Sequence, residues 1–458
     1  MKKGKRQSVL GFHGGVGSVT GANFLLDTGA TAILIDCGLE QGVADTAAHN
    51  ARPFPYQPAD IDTLLVTHAH TDHIGRIPKL VQDGFVGTIY STPPTKALSE
   101  IMLRDAHNIM VYEHERYQTP LWYDVEAIDQ ALNQWQTFGY EEWRTLADEV
   151  EVQFINAGHI LGSAMVLLRR DGRVLVCTGD VGNVPQPLSA PPQMPEIAHY
   201  LITESVYGDR THEAVAERAA LLRHHLEAVR QRGGTLIIPA FSLERTQTML
   251  YEINHFVESG EMEPIPVFLD SPLAIAVTDV YRRYASYLSP EAQARLQSDD
   301  DLFSFPGFRA TRTVNASHEI DAVTGPKVII AGSGMSHGGR IRRHEQHYLS
   351  DPTTTVLLVG HQVAGSLGRR LQEGVPNVTI DGVAVKVKAT IATISGYSGH
   401  ADREQLLGVI DSCRSSLERV FVTMGEENAS LFLAQRIHDY LGLAATVPAE
   451  GEEVIISF

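Results

Sequence analysis

Residues 67 to 73 read Thr-His-Ala-His-Thr-Asp-His, and they follow directly on the apolar run IDTLLV at 61–66. Four side chains able to hold a metal ion, His68, His70, Asp72 and His73, thus fall within six positions at the end of a buried strand. Few folds deliver such a cluster. The apolar run predicts a strand covered on both faces, and the cluster predicts a polar site at its tip. In a loop, the spacing lets His68 and His70 face one ion while Asp72 and His73 turn toward a second. Imidazole and carboxylate donors suit zinc, and a donor set without thiolate leaves coordination positions open for chemistry. The bland alternative, a polar turn with chance histidines, is hard to sustain at this density.

Other segments extend the pattern. ATAILIDCG (30–38) is a second apolar run ending in a polar tip at Asp36, and IGRIPKLVQDG (74–84) reads as a helix closed by Gly84. Residues 95–150 read as a helical excursion, and strands return at 164–170, 173–180 and 200–205. His159 sits in the glycine-bracketed loop NAGHILGSA, and Asp180 ends the strand RVLVCTGD. Alone, each reads as an ordinary loop or turn residue; placed after the histidine cluster, each is a candidate ligand, with Asp180 bridging two ions. Asp36 alone reads as a turn residue, or as one that orients a ligand from behind. Two ions so placed would acidify a water and clamp a phosphoryl group, chemistry that needs no side-chain nucleophile. None is evident in the sequence, which has no nucleophile elbow, no Cys/His pair and no Walker-type loop.

After about residue 209 the rhythm becomes an alternation of helices with buried strands, beginning with a helix at 212–232. That alternation predicts a mostly parallel sheet, whose functional loops gather at the carboxyl ends of strands. Those ends carry Ser242, Asp270, Ser333 and His361. The stretch from KATIATISGYSGHAD to the C-terminus again alternates strands with helices and closes either domain.

The bulk composition narrows the function classes. At 458 residues the chain needs more than one core. Cys37, Cys177 and Cys413 lie far apart, which argues against a disulfide framework or a thiolate zinc site. No apolar run is long enough for a bilayer span, and the basic start MKKGKRQ lacks the apolar stretch of a signal peptide. The expectation is a cytoplasmic protein without a membrane partner. The net charge of −18, from 37 basic and 55 acidic residues, counts against nucleic acid at the scale of the whole chain. Arg340, Arg342, Arg343, Arg369 and Arg370 form local basic clusters that soften the objection.

In their order, these motifs resemble the metallo-β-lactamase superfamily, and the later segments resemble its β-CASP branch of nucleic-acid-processing nucleases. The resemblance covers nearly the whole chain, through LIDCG, THAHTDHIGRIP, AGHILGSA, TGDVG, TESVYGDR, PAFSLERTQ, DSPLA, GSGMSHGGRIRRH, GHQVAGSLGRR and SGYSGHAD. It implies an α/β fold, an αββα sandwich interrupted by an inserted α/β β-CASP domain, with the first domain at 1–208 and 394–458 and the insert at 209–393. It implies a zinc ion held by His68, His70, His159 and Asp180, a second held by Asp72, His73 and the bridging Asp180, and Asp36 in support. Asp72, Glu204 and His400 would form the catalytic set, with His400 as general acid and Glu204 tuning it. Ser333 and Ser336 in the glycine-rich GSGMSHGGR, with Arg340 and Arg369, would meet phosphate. Read without the family, Ser333 and Ser336 belong to a tight turn and the arginines to solvated helix faces.

One departure stands out. The family's last motif reads HGE and its histidine completes the second zinc site, whereas here VFVTMGEENAS places Met424 there. A thioether is a poor partner for zinc beside hard carboxylates. The expectation is therefore one or two zinc ions, the second weaker. GSGMSHGGR and GSLGRR look most like prokaryotic RNA-processing members and the nuclease subunit of the pre-mRNA 3′-end cleavage complex. An endoribonuclease is the implied activity. A DNA nuclease, a member that binds nucleic acid or a partner without cutting, and a homodimer stay open; a small-molecule hydrolase is disfavoured by the insert and His400. RNase J-type enzymes usually carry a further C-terminal domain, so the end at Phe458 sets an expectation against a 5′-exonuclease of that type, and no KH-like extension is evident at the N-terminus.

Overall fold

The computed structural model describes residues 7–42, 45–212, 217–298, 301–360, 362–363 and 365–458. His361, expected at a strand end, lies outside them. The chain divides into two compact units, Met1–Thr211 with His400–Phe458, and His212–Gly399.

The first unit is built on two seven-stranded sheets. One runs in the order Glu452–Ser457, Gln7–Gly14, Asn23–Asp27, Ala32–Ile35, Thr63–Leu65, Thr88–Ser91, Trp135–Thr137. The other runs Ala445–Thr446, Arg419–Val422, Tyr200–Thr203, Arg173–Cys177, Ala164–Arg170, Glu151–Asn156, Arg144–Thr145. Their inner faces share one core: Leu10, Phe12, Phe24, Ile33 and Leu65 meet Phe154, Val166, Leu175, Ile202 and Phe421. The outer face of the second sheet, with Met165, Val176, Leu201 and Val420, packs on Leu406, Ile410 and Leu433 of the helices Arg403–Ser412 and Glu427–Arg436. Helices Ile77–Gln82, Pro93–Tyr117 and Val125–Gln134 pack together beside the strands Thr88–Ser91 and Trp135–Thr137 of the first sheet. The layers therefore run αββα. A strand such as Ala164–Arg170 is covered on both faces, which is why it reads as an unbroken apolar run rather than an alternation.

Two local expectations need correction. The excursion at 95–150 is helical only to Gln134; beyond it the chain adds edge strands to both sheets. The helix expected at 212–232 is observed as Arg218–Arg232, and residues 213–216 lie outside the described part. The C-terminal stretch serves both units, Thr390–Thr393 pairing with the second and the strands from Arg419 onward joining the first.

The second unit holds a six-stranded sheet, all parallel, in the order Phe308–Ala310, Val267–Leu269, Lys327–Ala331, Thr235–Pro239, Thr355–Leu358, Thr390–Thr393. A small antiparallel hairpin, Asn377–Ile380 with Val383–Lys386, accompanies it. Among the described residues no helix is long and apolar enough to cross a membrane.

Candidate metal centre

Strand Thr63–Leu65 ends just before Thr67, and the short helix Thr71–Ile74 begins four residues later, so the cluster spans one strand-to-helix turn. Asp36, at the tip of the neighbouring parallel strand, braces that turn. Its carboxylate accepts the Thr67 backbone N–H at 2.8 Å and the Thr67 hydroxyl at 2.7 Å, and lies 2.7 Å from His73 Nδ1. This contact leaves Nε2 of His73 to face the site, as a carboxylate behind a ligating histidine does. Gly38, two residues on, is required by close packing: a Cβ there would lie 1.6 Å from the Asp72 carbonyl oxygen.

Four donor atoms converge. His68 Nε2 is 3.1 Å from His70 Nδ1 and 3.3 Å from Asp180 Oδ2. His159 Nε2 is 3.2 Å from the same His70 nitrogen and 3.5 Å from the same Asp180 oxygen. His159 arrives from the loop between strands Glu151–Asn156 and Ala164–Arg170, where its backbone N–H donates to Ser163 Oγ at 3.0 Å. Burial holds His68, His70 and His159 below the ordinary imidazole range, so all three are neutral, the form a ligand needs. Four ligands about 2.0–2.1 Å from a shared centre stand about 3.3 Å apart in a tetrahedron, so these separations fit a zinc ion.

A second set lies beside the first. His73 Nε2 and Asp180 Oδ1 are buried 3.3 Å apart, and neither makes a hydrogen bond within the described residues. Asp72 Oδ2 stands 3.9 Å from His73 Nε2 and is partly exposed. Met424 adds nothing to this set. Its side chain, 2% exposed, belongs to the apolar core with Phe24, Cys177 and Ile202, and its sulfur lies against Gly15.

His400 completes the arrangement. Its backbone bridges to Gly182, and its Nδ1 lies 3.4 Å from Glu204 and 3.8 Å from Asp180. Glu204 is itself fixed by the Val181 backbone N–H at 2.6 Å. Burial disfavours a charged His400, but Glu204 and Asp180 outweigh it and push the imidazole up to about 9. In the metal-free protein it therefore carries its proton at neutral pH.

The four phosphate candidates of the second unit have different surroundings. Ser336 is buried and donates to Glu345 at 2.5 Å. Arg340 donates to Asp270 at 2.7 Å and to the carbonyls of Thr311 and Arg312. Ser333 accepts the backbone N–H groups of His337 and Gly338, and Arg369 makes an exposed pair with Glu373 at 2.7 Å. Two supporting residues escaped the sequence reading. Thr67 ties Asp36 to the cluster, and Ser163 fixes the His159 loop; their only signal was their position beside a ligand.

The profile of the metallo-beta-lactamase superfamily matches residues 17–240, the Beta-Casp domain residues 246–371, and the Zn-dependent metallo-hydrolase RNA specificity domain residues 384–449. Fold and site together define a metal-dependent hydrolase. The chain belongs to the metallo-β-lactamase superfamily and, within it, to the β-CASP family. Ribonuclease TTHA0252 of Thermus thermophilus is 36% identical over 422 residues, 92% of this chain and 94% of that one. Transcription termination factor FttA of Methanosarcina mazei is 30% identical over 93% of this chain and 68% of its own length. An RNase J-like protein of Methanocaldococcus jannaschii is 30% identical over 97% of this chain and 98% of itself, so length does not separate the chain from proteins of that name. A solved structure of a protein of unknown function from Enterococcus faecalis shares the fold, with a TM-score of 0.57 at 12% identity over 98% of this chain and 100% of that one.

Proposed function

We propose that this protein is a zinc-dependent phosphodiesterase that cuts RNA internally. The observation that carries the reading is the convergence of three imidazole nitrogens and one carboxylate oxygen, all within 4.8 Å of one another. The names of the ribonuclease and RNase J-like relatives support RNA as the substrate class. In this reading the metallo-β-lactamase core runs over 1–208 and 394–458, and the β-CASP insert over 209–393.

His68, His70, His159 and Asp180 would hold the first ion; His73, Asp72 and the second oxygen of Asp180 would hold a weaker one. Ions bound there would supply Lewis acidity to the phosphodiester and lower the pKa of the attacking water. Asp36 and Thr67 keep the histidines in place. As the bond from phosphorus to O3′ breaks, His400 delivers its proton to that oxygen, and Glu204 stabilises the charged imidazole until then. The products carry a 3′-hydroxyl and a 5′-phosphate. Ser333 and Arg369 are the candidates to meet substrate phosphates, whereas Ser336 and Arg340 shape the loop that carries Ser333.

A second reading, a chain that binds RNA without cutting it, rests on Met424, which occupies the sequence position where the family motif has a histidine and whose side chain packs in the apolar core. Incubating end-labelled RNA and DNA with the zinc-loaded protein, with and without chelator, tests both. Zinc-dependent cleavage of RNA over DNA supports the first reading. RNA binding with no cleavage at any zinc concentration overturns it in favour of the second.

A further inference from the structure

We propose that a strip of alternating aromatic rings and guanidinium groups on the first unit guides single-stranded RNA to and from the metal centre; this rests on the RNA-cleaving reading above. The strip starts at Tyr207, whose ring centroid lies 6.2 Å from that of His400. The Arg210 guanidinium stands over the Tyr207 ring at 5.8 Å. The Arg403 backbone N–H donates to the Arg210 carbonyl at 3.1 Å, and the Arg403 side chain reaches over Phe432 at 5.7 Å. Arg436 then lies 4.7 Å over the other end of this contact, Phe432, and 5.3 Å over Tyr440, to whose hydroxyl it donates at 3.3 Å. Six side chains from three separate segments thus lie in file, as two runs of ring and cation contacts joined by the backbone hydrogen bond between Arg403 and Arg210.

The chemistry of the path selects its ligand. Nucleobases stack on exposed rings whatever their identity, and guanidinium groups between the rings meet the intervening phosphates. Tyr440 at the far end is 58% exposed, which leaves its ring open to a stacking base. Asp209 and Glu404 pair with Arg210 and Arg403 at the surface, contacts that a phosphate displaces at little cost. Continuity with the metal centre favours the substrate strand over a protein partner, which would gain nothing from reaching His400.

The test uses the zinc-loaded full chain and a labelled phosphorothioate RNA of about 12 nucleotides, within the site size of such paths. Binding is read by fluorescence anisotropy across a salt series, and thermal melting checks the fold of each variant. Tyr440→Ala is expected to weaken binding about 5-fold or more, the loss of one stacked base. Arg436→Glu is expected to weaken it too and to flatten the slope of log K against log salt by about 0.7, one phosphate contact on a single strand. Arg116→Glu and Tyr117→Ala, a matched exposed pair 5.5 Å apart on the helix Pro93–Tyr117, serve as controls and are expected to leave affinity unchanged. Unchanged binding in the strip variants, or an equal loss in the controls, overturns the proposal. A wild-type protein that cuts unmodified RNA while the strip variants bind normally sinks this inference alone; a wild type that neither binds nor cuts RNA sinks the nuclease reading.

Discussion

Asp36 holds a backbone conformation with positive φ, 58°, which aspartate adopts more readily than most residues but still at a cost. Such a conformation costs on the order of 1–3 kcal/mol and persists only where the surroundings enforce it. Here the return is three contacts from one carboxylate to Thr67 and His73. Asp36→Asn keeps the size but replaces one oxygen with a donor, so it cannot serve all three. Zinc affinity, measured by competition with a chromogenic chelator, is expected to fall about 10–100-fold. Met424 is the converse case, a residue that serves the core where a ligand would serve the metal. It too has positive φ, 45°, and its N–H donates to the Gly15 carbonyl at 2.6 Å. Met424→His places a polar ring in an apolar pocket and is expected to cost about 1–3 kcal/mol of stability in the metal-free protein. Added zinc should recover that loss, and metal analysis should show more zinc per chain than in the wild type. Recovery without extra zinc would mean that the histidine has turned away from the site.

At the scale of elements, the helix Ile341–Tyr348 shows how the second unit spends its polar residues. Its His344 and the preceding Arg340 both reach Asp270 at the end of strand Val267–Leu269, at 2.7 Å each, and Thr311 and Ser317 donate to the same carboxylate. Burial opposes the charge on Asp270, but these donors outweigh it and hold the carboxyl below its usual range. Arg340 is thereby occupied in joining a strand end to a helix start. Glu345, one position after His344, behaves oppositely: burial pushes it from 4.5 up to about 8 against a single hydrogen bond from Ser336. The folded protein therefore holds this proton more tightly than the unfolded chain does. The resulting stability is complete below about pH 4.5 and is lost as pH rises through about 8. Glu345→Gln keeps an acceptor for Ser336 and removes the titration, so its urea midpoint is expected to fall less than that of the wild type between those limits. Parallel curves for the two proteins would refute the assignment.

On the scale of the whole molecule, each unit has its own core, and the candidate ligands all belong to the first. Metal binding is therefore linked to the stability of one unit. With zinc at a thousandfold excess over its dissociation constant, the linkage amounts to about 4 kcal/mol. Chelation is expected to lower the melting transition of the first unit and leave that of the second in place, as read by calorimetry with and without EDTA. A uniform shift of the whole profile would mean that the two units unfold together. The sequence by itself determined the cluster of His68, His70, Asp72 and His73 at a strand tip, because strand periodicity and donor spacing are local properties, written in consecutive residues. The class of fold and the place of His159 and Asp180 were legible only through the order of motifs shared with the β-CASP family, since each of those two residues alone reads as a loop or turn residue. Only the tertiary structure decided which polar side chains were already committed. Arg340 and Ser336 look like phosphate ligands in a glycine-rich stretch, yet their partners Asp270 and Glu345 arrive from a distant strand and from the next helix. The path from Tyr207 to Tyr440 was equally illegible, because its rings and cations come from segments more than 190 positions apart that meet only once two sheets and their outer helices have packed.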